Sequence, residues 1–222
     1  MKEFDDIWND IYSAGEQLNR YPWSSVVSFL FRFYPREKPR SSVKILEIGC
    51  GAGNNIWCAA REGFDVTGID ASEPAIQYAK MRFEEEGLSA RLDVGSCRSL
   101  PYEKDEFDIV IERAALTHVP KPVAFDAVRE VARVLRPGGY FYSEIFSDRT
   151  STEGCENEAG LVIDAKGPLS NVGQIAFYSK SEILQLLGRE FSMLELVHAE
   201  FAKHVASHVE IIGNWSLVAQ RE

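Results

Sequence analysis

Apolar residues at Phe4, Ile7, Trp8, Ile11 and Tyr12 recur at helical spacing and predict an amphipathic helix over residues 4–15, closed near Gly15. A second helix is predicted from Pro22 to about Phe33, ahead of Pro35. The period then changes. Val43-Lys44-Ile45-Leu46-Glu47-Ile48 reads as a buried strand that runs directly into glycines at every second position, Gly49, Gly51 and Gly53, before a helix over 56–61 stopped by Gly63. Strands and helices alternate from there. Residues 64–69 predict a strand ending on Asp70, and Ser72 and Pro74 supply the cap and first turn of a helix over 73–86. Strands follow at 90–95 and 105–111, then a helix at 123–135 that stops at Arg136-Pro137-Gly138-Gly139, and a strand at 140–146. Residues 147–173 shift to Ser, Thr, Glu, Asn and Gly, and a connection this long in a compact domain is functional or mobile. A helix from Ser179 to about Gly188 and strands at 193–201 and 209–219 complete the chain. The alternation predicts an α/β fold, a three-layer α-β-α sandwich on a mostly parallel sheet.

Glycine at that density after a strand lets the backbone take positive φ and removes side chains that would hold a ligand away. The dinucleotide fingerprint G-x-G-x-x-G wants its third glycine at position 54, which is Asn here; the spacing is G-x-G-x-G. An acidic residue about 20 positions past the first glycine, at the end of the next parallel strand, is where a βαβ unit holds a ribose diol, and Asp70 stands there.

Glu47-Ile48-Gly49-Cys50-Gly51-Ala52-Gly53 resembles the first motif of class I S-adenosylmethionine-dependent methyltransferases, of the type 11-like group. Phe107-Asp108 at a strand entry and Leu135-Arg136-Pro137-Gly138-Gly139 before the fifth strand resemble that family as well. The resemblance covers residues 43–146 in motifs. It implies a Rossmann-like seven-stranded, mostly parallel sheet with an antiparallel last strand, S-adenosylmethionine as cofactor and S-adenosylhomocysteine as product. It also implies cofactor contacts at Glu47, Gly49, Cys50, Gly51, Gly53, Asp70, Ala71, Ser96, Cys97 and Glu112. One departure stands out. Ser96 occupies the position where relatives carry an Asp that accepts from the adenine amino group, ahead of Leu100-Pro101.

One domain is expected over 1–222: a helical lid at 1–40, a cofactor core at 43–146, and an acceptor-side loop with the last strands at 147–222. The aromatic cluster Trp8, Tyr12, Tyr21 and Trp23 beside Arg20 reads either as plain packing or as a lid, with Tyr12 and Arg20 reaching the cofactor. Arg20, Tyr21, His118 and the 147–173 loop are expected around the acceptor. His118, six residues past the fourth strand, is the candidate catalytic base for a hydroxyl acceptor.

A formal charge of -10 repels phosphate backbones and anionic lipid, so a small-molecule acceptor is expected rather than nucleic acid or membrane. The longest apolar run, 26–34, is broken by Arg32 and far short of a membrane span, and the first residues lack the signature of a signal peptide. A cytoplasmic enzyme follows. Cys50, Cys58, Cys97 and Cys155 lie far apart and predict free thiols, with neither disulfide nor zinc. His204 and His208 sit in what reads as the approach to a strand, not a metal site. The two readings left beside a methyltransferase acting at oxygen are a non-catalytic S-adenosylmethionine-binding protein and an NAD(P)-dependent oxidoreductase. The latter lacks the correct third glycine and a correctly spaced Tyr-x-x-x-Lys pair.

Overall fold

The computed structural model describes residues 3–154, 156–206 and 208–222. The expectation for Cys155 lies outside the described residues, as do the first two positions of the N-terminal reading. Helices α1 (Ile7–Ser13), α2 (Ser24–Phe33), α3 (Asn54–Arg61), α4 (Glu73–Glu85), α5 (Lys121–Val134) and α6 (Lys180–Leu187) accompany seven strands. These are β1 (Lys44–Ile48), β2 (Asp65–Asp70), β3 (Arg91–Val94), β4 (Phe107–Arg113), β5 (Leu135–Phe146), β6 (Phe191–Val205) and β7 (His208–Arg221). They form one sheet in the order β3-β2-β1-β4-β5-β7-β6, parallel throughout except for β7, which runs antiparallel to both neighbours. The reversal of strand order falls between β1 and β4, the place where an open α/β sheet opens a crevice at its carboxyl edge.

Alternation along β1 and β4 sorts side chains to two faces. Leu46, Ile48 and Val110 enter the core shared with α5 and α6, whereas Ile45, Ile109 and Ile111 enter the core shared with α2, α3 and α4. Near-continuous burial on both faces explains why these strands read as unbroken apolar runs. Helix α4 starts as its sequence predicts, Ser72 accepting from the Ala75 amide with Pro74 in the first turn. Helix α6 opens on a complete capping box between Ser179 and Glu182.

Three boundaries differ from the periodic reading. Helix α1 begins at Ile7 rather than residue 4, because the Asp5 carboxylate takes the Ile7 amide and the chain before it turns aside. Arg136-Pro137-Gly138-Gly139 is not a turn before β5 but a bulge inside it: the partners of Phe107 and Ile109 on β5 are Leu135 and Tyr140. Strands β6 and β7 outrun their apolar alternation and project as a long hairpin beyond the end of β5.

Candidate functional site

A cavity of about 300 Å³ opens at the carboxyl ends of β1, β2, β4 and β5, a volume at the small end of small-molecule sites. Its floor is the glycine turn. The Gly49 and Cys50 amides both donate to the Ile69 carbonyl, at 2.8 and 3.1 Å, so the turn folds back onto β2. Gly49 has a φ of +64°, and a Cβ there would lie 2.1 Å from the Ala115 Cβ, so the loop after β4 fits against the turn only because position 49 has no side chain. Asp70, at the end of β2, accepts from the Gly51 amide at 2.8 Å and from the Ser72 amide at 2.8 Å, and burial raises its pKa. A carboxylate has lone pairs for about four donors, so two remain for a ligand.

Glu47 is 2% exposed and lines the same cavity. Its Oε1 accepts from Asn55 Nδ2 at 2.7 Å, while Oε2 is buried with no hydrogen-bond partner among the described residues. Burial pushes its pKa up to about 8, with the nearby carboxylates Asp70 and Glu112 adding to the rise. Asn55 also accepts the Trp23 amide at 3.0 Å and so ties the start of α2 to the carboxyl that lines the floor.

Arg113 also lines the cavity and was not among the residues the sequence singled out. Ile111 pairs with Glu47 in register, and Arg113 lies two residues further on, so strand alternation puts Glu47 and Arg113 on the same face. That register was the available signal. The Arg113 guanidinium lies 3.6 Å from the centre of the Trp23 ring, its Nη2 is 3.5 Å from Glu144, and its Nε is buried without a hydrogen bond among the described residues. The cavity thus carries an unsatisfied carboxyl oxygen and an unsatisfied guanidinium nitrogen on one side of the sheet.

His118 lines the cavity together with Phe146, Leu169 and Val172. Its Nδ1 lies 3.0 Å from the Gln174 carbonyl, and a carbonyl only accepts, so Nδ1 carries the hydrogen and Nε2 keeps its lone pair. Trp8 packs edge-on to the ring at 4.8 Å. Burial lowers the His118 pKa to about 4, which corrects the near-neutral value expected from an unperturbed imidazole.

Glu47, Gly49, Cys50, Gly51, Asp70, Ala71, Cys97, Tyr12 and His118 all line the cavity, and five other sequence candidates do not. Gly53 is the left-handed residue before α3, its amide bonded to the Cys50 carbonyl. Ser96 turns away, donating to Glu3 at 3.1 Å and accepting from the Arg98 amide. Glu112 alternates to the opposite face from Arg113, where it accepts from the amides of Ala115 and Leu116 and from Ser143 Oγ at 2.5 Å, bracing the loop that carries His118. Arg20 projects outward toward Glu86, its side chain 66% exposed, because Arg82 holds its carbonyl from below. Tyr21, expected near the acceptor, is 78% exposed, and its carbonyl is held by Asn54.

Residues 45–139 match the family model of the methyltransferase domain. Methyltransferase GfsG of Streptomyces halstedii is 35% identical over 111 residues, 49% of this chain and 39% of that protein. Ubiquinone biosynthesis O-methyltransferase of Maricaulis maris is 38% identical over 105 residues, 46% of this chain and 40% of that protein. The match therefore spans about two fifths of the length of these curated relatives. The crystal structure of a SAM-dependent methyltransferase from Methanosarcina mazei superposes with a TM-score of 0.65 at 25% identity, covering 85% of this chain and 98% of that one.

The family implies S-adenosylmethionine as cofactor, and the residues present suit it: Asp70 keeps acceptor capacity for a ribose diol, and Glu47 offers a buried, unpaired oxygen to an ammonium group. Residues 45–139 match the methyltransferase-domain model, and the chain as a whole has the fold of class I S-adenosylmethionine-dependent methyltransferases.

Proposed function

We infer that the chain transfers a methyl group from S-adenosylmethionine to an oxygen of a small-molecule acceptor. The observation that carries this reading is the division of one cavity: glycine turn, Asp70 and Glu47 on one side, and a neutral His118 with a free Nε2 on the other. The Maricaulis maris relative, an O-methyltransferase by name, supports oxygen as the acceptor atom. When bound, the cofactor would supply a methyl carbon activated by its sulfonium. The protein aligns the acceptor, excludes water and takes the hydroxyl proton on His118 Nε2. Incubation with S-adenosylmethionine and a panel of phenols, hydroxy acids and sugars should yield S-adenosylhomocysteine by mass spectrometry. Tight binding of S-adenosylhomocysteine with no turnover on any member would favour a non-catalytic binding protein.

Glu47 and Arg113 bracket the amino-acid end of the cofactor in this reading. An ammonium at Glu47 Oε2 favours the carboxylate, so binding at pH 7 should release close to one proton, read from calorimetry in buffers of different ionisation enthalpy. Glu47→Gln should abolish the release. The sign for folding is opposite. A carboxyl raised from 4.5 to about 8 costs the unliganded fold stability as pH rises through that window, on the order of 3 kcal/mol by pH 7, so Glu47→Gln should raise its Tm.

Arg113→Met should weaken S-adenosylhomocysteine by roughly tenfold, the scale of one charge-assisted hydrogen bond. Its affinity for 5′-methylthioadenosine, which lacks the amino-acid end, should be unchanged. An equal loss for both ligands assigns Arg113 to scaffolding.

Helix α1 places Trp8 and Tyr12 over the cavity, while residues 20–23 are already held by Arg82, Asn54 and Asn55. Closure on a ligand therefore belongs to α1, hinged between Gly15 and Asn19, where Gly15 and Gln17 take positive φ. Added S-adenosylhomocysteine should slow hydrogen exchange in α1 but not in α2. Unchanged exchange in α1 would reduce it to a packing layer.

A further inference from the structure

The free edge of the sheet is β6, fifteen residues long where strands are typically five or six. Edges of that length are usually shortened, covered or interrupted, because their unpaired amides and carbonyls recruit another strand. Among the described residues no strand or isolated bridge pairs with the outer side of β6. Its two faces differ. Leu196 and His198 turn toward the body of the protein, with His198 Nε2 2.8 Å from Ser147 Oγ and the ring against Trp215. Val197 and Phe201, on the other face, stand 54% and 63% exposed, too apolar to be left on a free edge without consequence.

We propose that β6 pairs antiparallel with β6 of a second copy about a two-fold axis through Ala199, joining two sheets into one. The occupant is chosen by charge and shape along the strand itself. In a pairing centred on Ala199, Glu195 faces Lys203 of the copy, and Val197 faces Phe201 of the copy, each contact occurring twice by symmetry. On the opposite face His198 meets Glu200. Register is specific to this centre. A shift to His198 sets Glu195 against Phe201, and a shift to Glu200 sets that carboxylate against itself and Val197 against Lys203. The charges that flank the apolar pair would repel a random strand, yet here they become ion pairs.

In the single copy both charges are paired at the surface, where ion pairs contribute little. Lys203 is 74% exposed and 3.6 Å from Glu210, and both carboxylate oxygens of Glu195 accept from the Arg32 guanidinium. The pairing needs no rearrangement of the cavity, which lies at the carboxyl edge of β1, β2, β4 and β5.

Sedimentation equilibrium on the full chain tests the assignment. Wild type should sediment as a dimer at about 100 µM, and Phe201→Lys as a monomer with unchanged circular dichroism. Lys203→Glu places two carboxylate pairs across the axis and should weaken the dimer about tenfold or more. Adding Glu195→Lys to it restores opposite charges and should recover most of the loss. A wild-type monomer at that concentration overturns the proposal. So does a dimer indifferent to both Phe201→Lys and Lys203→Glu, which would lie on another surface, and so does a charge swap that fails to rescue.

Discussion

Gly51→Val is expected to leave a folded protein with no measurable affinity for S-adenosylhomocysteine. Gly51 has a φ of +51°, a region that a β-branched residue enters only at a cost of about 1–3 kcal/mol. A Cβ at that position would come 2.4 Å from the Tyr12 hydroxyl, and the two further methyls of valine add bulk to the same wall of the cavity. Tyr12 can swing out because it sits on α1, which is why the fold should survive. Binding should not, since the same displacement fills the floor and draws the Gly51 amide from Asp70. Calorimetry should show a loss of at least about 100-fold, with Tm lowered by only a few degrees. An affinity within about threefold of wild type would remove the glycine turn from the binding site.

His118→Asn is expected to lower kcat by about 100-fold on any hydroxyl acceptor the protein turns over, with S-adenosylhomocysteine affinity unchanged. Asparagine still offers a donor to the Gln174 carbonyl but no basic nitrogen. The pH dependence discriminates the role from simple packing. With a pKa near 4, His118 is unprotonated throughout the neutral range, so the acidic limb of the wild-type kcat profile should fall near pH 4, not near 6.5, and should vanish in the variant. Stability moves with the same group. An imidazole lowered from 6.5 to about 4 costs the fold stability as pH falls through that window, about 3 kcal/mol in full, and His118→Asn should flatten that acid limb. Full kcat with an unchanged profile would leave alignment alone as the source of rate and His118 as structural.

The layout of the fold was legible because both faces of β1, β2 and β4 are buried, so period and continuity of apolar residues carry the signal undiluted. The same signal fails in β5 and the hairpin. Pro137 and the glycines after it look like a turn yet form a bulge, and β6 keeps pairing through alternating polar residues whose partners are set by β7 rather than by burial. At the site, the resemblance of residues 47–53 to the family motif pointed to Glu47 and the glycine turn, spacing to Asp70 and chain position to His118; Glu47, Gly49, Gly51, Asp70 and His118 line the cavity. Arg20 and Ser96 do not line the cavity: each stands near it in sequence, but a long-range partner, Arg82 or Glu3, holds it elsewhere. Arg113 was hidden by its type, since charge on a strand end reads as solvent-facing until the register with Glu47 is known.

The Asp5 carboxylate that caps α1 also takes the Gln174 amide at 3.0 Å, and Gly173 approaches it so closely that a Cβ there would lie 2.5 Å from Asp5 Oδ2. This contact fastens the two segments that wall the cavity on either side of His118. Release of a product held beside His118 is expected to need this contact to open. A kcat that falls in proportion to added viscogen, and that recovers in Asp5→Ala, is the kinetic signature of such a gate.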